Sequence, residues 1–133
     1  MEERIRKDFE KQGLMKLLGA EIVSIEKGKV VMACPYRPEV AQQNGFFHAG
    51  TISSLLDMAA GYAAYTYMED HENVLSVEFK VNMMKPAIAD KLYAVGTVLQ
   101  AGRKLVVCEA IATNEAQDRI FSKMQATMFR SSQ

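Results

Sequence analysis

Asp57 is the residue with the clearest capacity for chemistry, because it is an acid among apolar neighbours. The stretch 50–68, GTISSLLDMAAGYAAYTYM, is apolar on nearly every face and predicts a long helix that is buried all round. Small residues share one face of this helix with the acid: Gly50, Ser54, Gly61 and Ala64. An ionised carboxylate buried without partners is costly, so this face predicts a groove that holds a reactive acid. The alternative is a structural acid that hydrogen-bonds Ser53 or Ser54.

The loop that precedes the helix favours a reactive acid. It reads QQNGFFHAG over residues 42–50 and would place free backbone N–H groups at the helix N-terminus, near Ala49 or Gly50. N–H groups in such a position polarise a carbonyl oxygen in the manner of an oxyanion hole. We expect His48 to fix this loop rather than to react itself.

The separation between the loop and the acid constrains any shared reaction. Ala49 and Asp57 are eight residues apart, which is about 12 Å along a helix that rises roughly 1.5 Å per residue. A carboxylate transfers a proton over about 3 Å, so it cannot serve a carbonyl held at the N-terminus of its own helix. If both groups act on one bond, the acid must come from a second copy of the chain. Catalysis here therefore predicts a dimer.

The segments on either side of the central helix predict a sheet. Residues 1–18 carry apolar side chains at helical spacing amid charges and predict a short helix that ends at Gly19. Two strands joined by a tight turn at Lys27 and Gly28 follow. Four more strands are predicted after the central helix: 73–84, 91–101, 104–114 and 119–130. Runs of strands without intervening helices favour antiparallel pairing, so we expect an α+β fold in a single domain, 1–133.

Over residues 22–130 the chain resembles the hotdog-fold thioesterases, specifically the phenylacetate-degradation type of the 4-hydroxybenzoyl-CoA thioesterase superfamily. The segments that carry the resemblance are QQNGFFHAGTISSLLDMAAGYAA, SVEFKVNMMKPAIADKLYAVGTV and GRKLVVCEA. The resemblance implies a hotdog fold, in which an antiparallel sheet of five to six strands wraps around the central helix 50–68 after the N-terminal helix 1–18. It also implies an acyl-CoA thioesterase that assembles as a homodimer or a dimer of dimers, with active sites at the dimer interface.

Carried over position by position, the resemblance assigns roles to individual residues. Asp57 becomes the general base or the nucleophile, and the backbone N–H of Ala49 polarises the thioester carbonyl. Ser76 matches a position that holds the attacking water in some relatives. Either Gln42 or Gln43 lies near the reaction centre. An alanine replaces the glycine that commonly follows the histidine of this motif, but it still supplies an N–H.

The implied substrate requires a cationic and an apolar site. Coenzyme A enters as part of the substrate, and no separate cofactor is expected. Its phosphates need cations, for which Lys85, Arg103 and Lys104 are the predicted residues. Gly61 stands where certain aromatic-acyl relatives carry threonine, which argues against sharing their substrate. The acyl group is expected among plastic apolar side chains: Phe46, Phe47, Leu55, Met58 and Met84.

Composition argues against several other classes of protein. Lysine plus arginine equals aspartate plus glutamate at 16 each, so there is no basic excess of the kind that nucleic-acid binding requires. The histidines are His48 and His71 alone, which disfavours a metal site. The densely charged stretch 1–11 argues against a targeting signal, and the acid in the central helix argues against a membrane span. Cys34 and Cys108 are expected to be buried free thiols in a reducing compartment, which predicts a cytoplasmic location.

Other functions are compatible with the same residues. A non-catalytic acyl-CoA-binding module of the same fold would bind its ligand without turnover. A hotdog hydratase or dehydratase would pair a catalytic histidine with an acid, which His48 and Asp57 allow. The acid in the central helix, Asp57, argues against a purely structural oligomer. The sequence lacks a Gly-x-Ser-x-Gly turn, which argues against a serine hydrolase.

Overall fold

One long helix lies against a six-stranded antiparallel sheet in the computed structural model, which describes residues 1–132. The helices are α1 (Glu2–Phe9), α2 (Gly13–Leu18) and α3 (Ala49–Tyr65). The strands are β1 (Glu21–Glu26), β2 (Lys29–Pro35), β3 (Glu72–Met83), β4 (Lys91–Ala101), β5 (Leu105–Thr113) and β6 (Ile120–Ser132). Their order in the sheet is β1-β2-β4-β5-β6-β3, and every neighbouring pair is antiparallel. The predicted α+β architecture, one antiparallel sheet with one long helix, is confirmed.

The central helix is shorter than the predicted range 50–68, because it ends at Tyr65. Thr66 turns the chain at this point. Its hydroxyl donates to the carbonyl oxygen of Ala63 at 2.7 Å and accepts the N–H of Gly28 at 2.8 Å. A side chain that satisfies backbone groups in this way competes with further helix. No helix within residues 1–132 has both the length and the hydropathy that a membrane span requires.

The N-terminal helix predicted over 1–18 is divided in two. Between α1 and α2 the chain is extended at Gln12, with φ −81° and ψ 96°. Ile5 of α1 and Met15 of α2 are both fully buried, so packing on the core holds two helices that are too short to be stable alone. Gly19 ends α2 in the left-handed conformation (φ 74°), which glycine adopts without strain.

The sheet and α3 approach each other most closely at Gly96 of β4. A Cβ at this position would lie 2.3 Å from the carbonyl oxygen of Ala59 and 2.7 Å from the backbone nitrogen of Ala60. Both alanines are completely buried. The absence of a side chain on the strand and the small side chains on the helix therefore let the two backbones touch.

We expect Gly96→Ala to lower the free energy of unfolding by about 1–3 kcal/mol, because the added methyl group forces the helix away from the sheet. Thermal unfolding followed by circular dichroism measures the change. Gly13→Ala is the matched control, since a Cβ at Gly13 meets nothing within 4 Å. Equal melting temperatures for the wild type and Gly96→Ala would contradict this close contact.

The two edge strands of the sheet differ in chemistry. The edge strand β1 begins and ends with exposed glutamates, a common protection against unwanted pairing. The other edge strand, β3, is 12 residues long and exposes Val77 (56%), Phe79 (42%) and Met83 (42%). Phe79 and Met83 lie opposite the buried residues Ala126 and Ser122 of β6, so they share the inner face of the sheet. A long apolar edge of this kind is a template for pairing with another chain.

The two cysteines are buried and unpaired, as predicted. Burial raises the pKa of the Cys108 thiol to about 12. Burial also raises the pKa of the Cys34 thiol, although the nearby Arg37 guanidinium acts in the opposite direction. Neither thiol therefore has the thiolate character that reactive cysteines require.

Candidate functional site

The central helix is only partly buried, contrary to the prediction of a helix buried all round. Ala49 and Gly50 in its first turn are exposed, and Ser54 and Asp57 are half-buried. Gly61, farther along the same face, is buried. The face of small residues predicted from the spacing is thus open along its first half, because the sheet covers the alanine-rich side of the helix instead.

The carboxylate of Asp57 has a hydrogen-bond partner on β3. The Ser76 hydroxyl donates to Asp57 Oδ1 at 2.7 Å. Ser54 does not contact the acid, because its hydroxyl donates to the carbonyl oxygen of Gly50 at 2.8 Å. The acid therefore pairs with a distant serine and not with a helical neighbour. Because Asp57 is half-buried and Ser76 is exposed, this pair is open to a ligand.

A β-bulge in β3 brings Ser76 to the acid. The register between β3 and β6 shifts between Ser76 and Glu78, so that Val77 has no residue opposite it. Bulges bend a strand and re-aim its side chains, and they are frequent next to active sites. Ser76 lies opposite the fully buried Met128, which places the hydroxyl on the face of the sheet that meets α3.

Asp57 and Ser76 share a pocket of about 140 Å³, here called the acid pocket. Its other walls come from α3, β3 and the N-terminal segment: Gln12, Met58, Gly61, Tyr62 and Val74. Burial raises the pKa of Tyr62 well above its ordinary value, and the hydrogen bond to Asp8 adds to this effect. Gln12 and Tyr62 are site residues that the sequence patterns do not indicate, because their approach depends on how the N-terminal helices fold back.

The N-terminus of α3 is capped by His48. Its Nδ1 accepts the N–H of Gly50 at 2.8 Å, and its carbonyl oxygen accepts the N–H of Ile52 at 3.0 Å. The Gly50 N–H is thereby occupied. Within residues 1–132 the N–H of Ala49 has no acceptor, and this residue is exposed. Ala49 therefore presents a backbone donor at the positive end of the helix dipole.

The loop before α3 is held by Gln42. Its side-chain oxygen accepts the N–H groups of Asn44 and Phe46, and its backbone N–H donates to the carbonyl oxygen of Phe46 at 2.8 Å. Gln42 also lines a pocket with Ala49, whereas Gln43 is exposed and does not line it. Of the two predicted glutamines, Gln42 is the one that the loop brings to the helix N-terminus.

A pocket of about 510 Å³, here called the entrance pocket, opens at the N-terminus of α3. It brings together several residues predicted from the sequence: Gln42, Phe46, Phe47, His48, Ala49, Met84 and Lys85. Lys85 brings a cation to the same pocket as the exposed amide of Ala49. This pocket can therefore accept an oxygen anion or a polarised carbonyl group next to an apolar wall.

The other two predicted cations lie elsewhere. Arg103 and Lys104 line a third pocket, here called the cationic pocket, near the start of β3. Arg130 and Glu72 line it too, and they form an ion pair at 3.4 Å. Arg130 is a cation that the sequence pattern does not indicate, because it occupies an ordinary polar position in the alternating pattern of β6.

The predicted apolar lining is distributed between the pockets. Phe46, Phe47 and Met84 line the entrance pocket, and Met58 lines the acid pocket. Leu55 lines neither pocket and is completely buried in the core, so its prediction as an acyl contact is wrong. Its side chain belongs to the side of α3 that packs on the sheet.

The acid pocket and the entrance pocket have no lining residue in common. The first holds a carboxylate with a hydroxyl, which can position and deprotonate a water molecule. The second holds an amide donor that can stabilise an oxyanion. Among the residues that the structure describes, no three His, Cys, Asp or Glu side chains gather closely enough to hold a metal ion.

Solved structures share this fold. A thioesterase family protein from Silicibacter pomeroyi is 38% identical, with a TM-score of 0.92 over 97% of this chain and 96% of that one. The PaaI protein from the phenylacetic acid degradation operon of Escherichia coli is 21% identical, with a TM-score of 0.84 over 94% of this chain and 88% of that one. At this lower identity the second likeness supports the hotdog fold alone.

Sequence relatives point to the same family. The protein is 31% identical over 105 residues to 1,4-dihydroxy-2-naphthoyl-CoA hydrolase of Listeria monocytogenes, covering 79% of this chain and 85% of that one. Residues 44–120 match the family model of the thioesterase superfamily. That segment is more than half of the chain and contains Ala49, Asp57 and Ser76. The chain therefore belongs to the thioesterase superfamily and is an enzyme of the hotdog fold.

Proposed function

We propose that the protein hydrolyses the thioester bond of an acyl-CoA, with Asp57 as its catalytic carboxylate. The observation that carries this proposal is the hydrogen bond of 2.7 Å between Ser76 and Asp57 inside an accessible pocket. A carboxylate and a hydroxyl at this distance can hold one water molecule between them and a substrate. The coenzyme A thioester is suggested by the Listeria relative, which is named as a CoA-ester hydrolase.

Two chemical routes use the same groups. In one, Asp57 removes a proton from a water molecule that Ser76 helps to position, and the resulting hydroxide attacks the thioester carbon. In the other, the Asp57 carboxylate attacks directly, and water then hydrolyses the mixed anhydride. Both routes break the C–S bond and release the free acid and coenzyme A. In both, the Ala49 N–H stabilises the oxygen anion of the tetrahedral intermediate.

A single chain cannot supply both the Asp57 carboxylate and the Ala49 N–H to one carbonyl group. Asp57 and Ala49 are eight residues apart on α3, about 12 Å along the axis. Ser76 and Met83, which borders the entrance pocket, are seven residues apart on β3, about 23 Å along the strand. We infer that the active site combines the acid pocket of one protomer with the entrance pocket of its partner.

The exposed edge of β3 supports such a dimer. Two β3 strands paired antiparallel about Phe79 would place Ser76 of one strand opposite position 82 of the other, next to Met83. The acid pocket, near Ser76, would then face the partner's entrance pocket, near Met83. The same pairing would bring Arg103 and Lys104 toward the partner's Lys85. The three predicted cations would thus lie around one set of coenzyme A phosphates.

We expect Phe79→Glu to convert the dimer into a monomer and to reduce hydrolysis by about 100-fold or more, although Phe79 touches neither Asp57 nor Ala49. The reason is that two charges at the middle of the paired edges repel each other and lose apolar burial. Size-exclusion chromatography with light scattering measures the mass, and release of free coenzyme A measures the activity.

Val23→Glu is the control for this edge. Val23 is also an exposed apolar residue (47%), but it lies on β1 at the opposite edge of the sheet. We expect this variant to keep the mass and activity of the wild type. A monomeric wild-type protein, or a monomeric Phe79→Glu protein with full activity, would rule out the shared site.

A substrate panel tests the reaction itself. Short, medium, long and aromatic acyl-CoAs are incubated with the protein, and the released thiol is measured with a colorimetric reagent. Hydrolysis of at least one class supports the proposal, and turnover of aromatic acyl-CoAs would support the phenylacetate-degradation type. Binding of all classes without thiol release would instead identify an acyl-CoA-binding module. Addition of water to an enoyl-CoA without thiol release would identify a hydratase.

A further inference from the structure

The acid pocket continues along α3 beyond the catalytic pair. Gly61 lines the same pocket four residues after Asp57, about one helical turn away. A Cβ built at Gly61 meets nothing within 4 Å. Glycine inside a helix costs roughly 0.5–1 kcal/mol relative to alanine. Because no close contact requires a glycine at this position, the missing side chain leaves room for a ligand.

A hydrogen-bonded group from the N-terminal segment forms a wall of this pocket. Gln12 Nε2 donates to Asp8 Oδ2 at 3.3 Å, and the same oxygen accepts the Tyr62 hydroxyl at 2.8 Å. Tyr62 is buried, and its ring packs edge-on against Phe9 at 6.3 Å between ring centroids. Gln12, the extended residue between α1 and α2, is therefore held in place. It borders the pocket that also contains Gly61.

We propose that Gly61 and Gln12 set the size of the acyl group that the enzyme accepts. The acyl group passes Asp57, fills the space beside Gly61 and stops at Gln12. This inference rests on the proposed function and adds a substrate limit to it. The acid pocket has a volume of about 140 Å³, and an apolar cavity of about 150 Å³ holds one benzene molecule. The preferred acyl group is therefore a single ring or a chain of about six carbons.

Binding measured without turnover tests this limit. The probes are ketone analogues of acetyl-, hexanoyl- and decanoyl-CoA, in which a methylene group replaces the thioester sulfur and prevents hydrolysis. Isothermal titration calorimetry on the full chain gives the affinity for each analogue. In the wild type we expect the hexanoyl analogue to bind most tightly, because it fills the pocket without pressing on Gln12.

Two substitutions are expected to move the affinity ratios in opposite directions. Gly61→Leu fills the pocket and should lower the ratio of hexanoyl to acetyl affinity about tenfold. Gln12→Ala removes the wall and should raise the ratio of decanoyl to hexanoyl affinity about fivefold. Gly13→Ala and Gln100→Ala are the matched controls, because both residues lie outside the acid pocket.

The outcomes separate this inference from the proposed function. The size limit is overturned if the affinity ratios of both variants stay within about twofold of wild type. It is also overturned if the ratios change equally in the controls. If the affinity ratios change as expected but the corresponding acyl-CoAs are not hydrolysed, the size limit is supported and the proposed function is overturned. Failure of every analogue to bind would overturn both.

Discussion

Asp57→Asn is expected to reduce acyl-CoA hydrolysis by about 10²–10⁴-fold, the usual contribution of a general base. Asparagine has nearly the shape of aspartate, and its side-chain oxygen can still accept the Ser76 hydroxyl, which donates to Asp57 at 2.7 Å. It can neither take a proton from water nor attack a carbonyl. The loss should fall on kcat, because the carboxylate acts on the reacting atoms. Release of free coenzyme A at saturating substrate measures the effect.

Asp90→Asn is the control for this substitution. Asp90 is exposed, lies just before β4 and borders neither the acid pocket nor the entrance pocket. We expect this variant to hydrolyse substrate at the wild-type rate. Circular dichroism and light scattering should show the same fold and mass for both variants. If Asp57→Asn kept more than about a tenth of the wild-type kcat, neither the general-base nor the nucleophile route would hold.

Ala49→Pro is expected to reduce hydrolysis by about 10²–10³-fold, or roughly 2.7–4 kcal/mol of transition-state stabilisation, by removing one oxyanion donor. Ala49 is the first residue of α3, a position where proline is favoured because its N–H has no partner within the helix. His48 before it is extended, with φ −66° and ψ 142°, as the residue before a proline must be. The substitution therefore deletes an N–H with little change to the backbone.

Ala49→Gly separates the loss of the N–H from the loss of the side chain. Glycine keeps the N–H and removes only the methyl group, so we expect most of the activity to remain. Melting temperatures establish whether either variant disturbs the helix N-terminus. Equal turnover by Ala49→Pro and Ala49→Gly would show that the thioester oxygen is held by another group.

Local patterns were sufficient to predict most of the fold. The four strands after α3 lie within two residues of their predicted limits, because alternation and the breaks at Pro86 and Gly102 are visible in the chain itself. The end of α3 is different. It depends on the hydrogen bond from the Gly28 N–H to Thr66, two residues 38 positions apart. The break at Gln12 likewise depends on packing against the core.

The sequence could predict only those parts of the candidate site that are formed by residues close to one another along the chain. Ala49 and Asp57 follow from an apolar helix, an acid within it and the loop before it. The approach of Ser76 depends on a β-bulge, and that of Gln12 on the folding back of α1 and α2, so spacing alone shows neither contact. Leu55 is a different case. It lies one helical turn before the buried Ala59, and this spacing already indicates the sheet side of the helix.

Mixing two inactive variants tests the shared active site most directly. Asp57→Asn and Ala49→Pro are unfolded together and refolded, so that half of the dimers contain one chain of each. In such a dimer one site lacks both groups, and the other combines the intact acid of one chain with the intact amide of its partner. The mixture should therefore recover about a quarter of the wild-type activity, as expected for two symmetric sites. If both groups came from the same chain, no intact site would form, and a mixture as inactive as its parents would contradict the account.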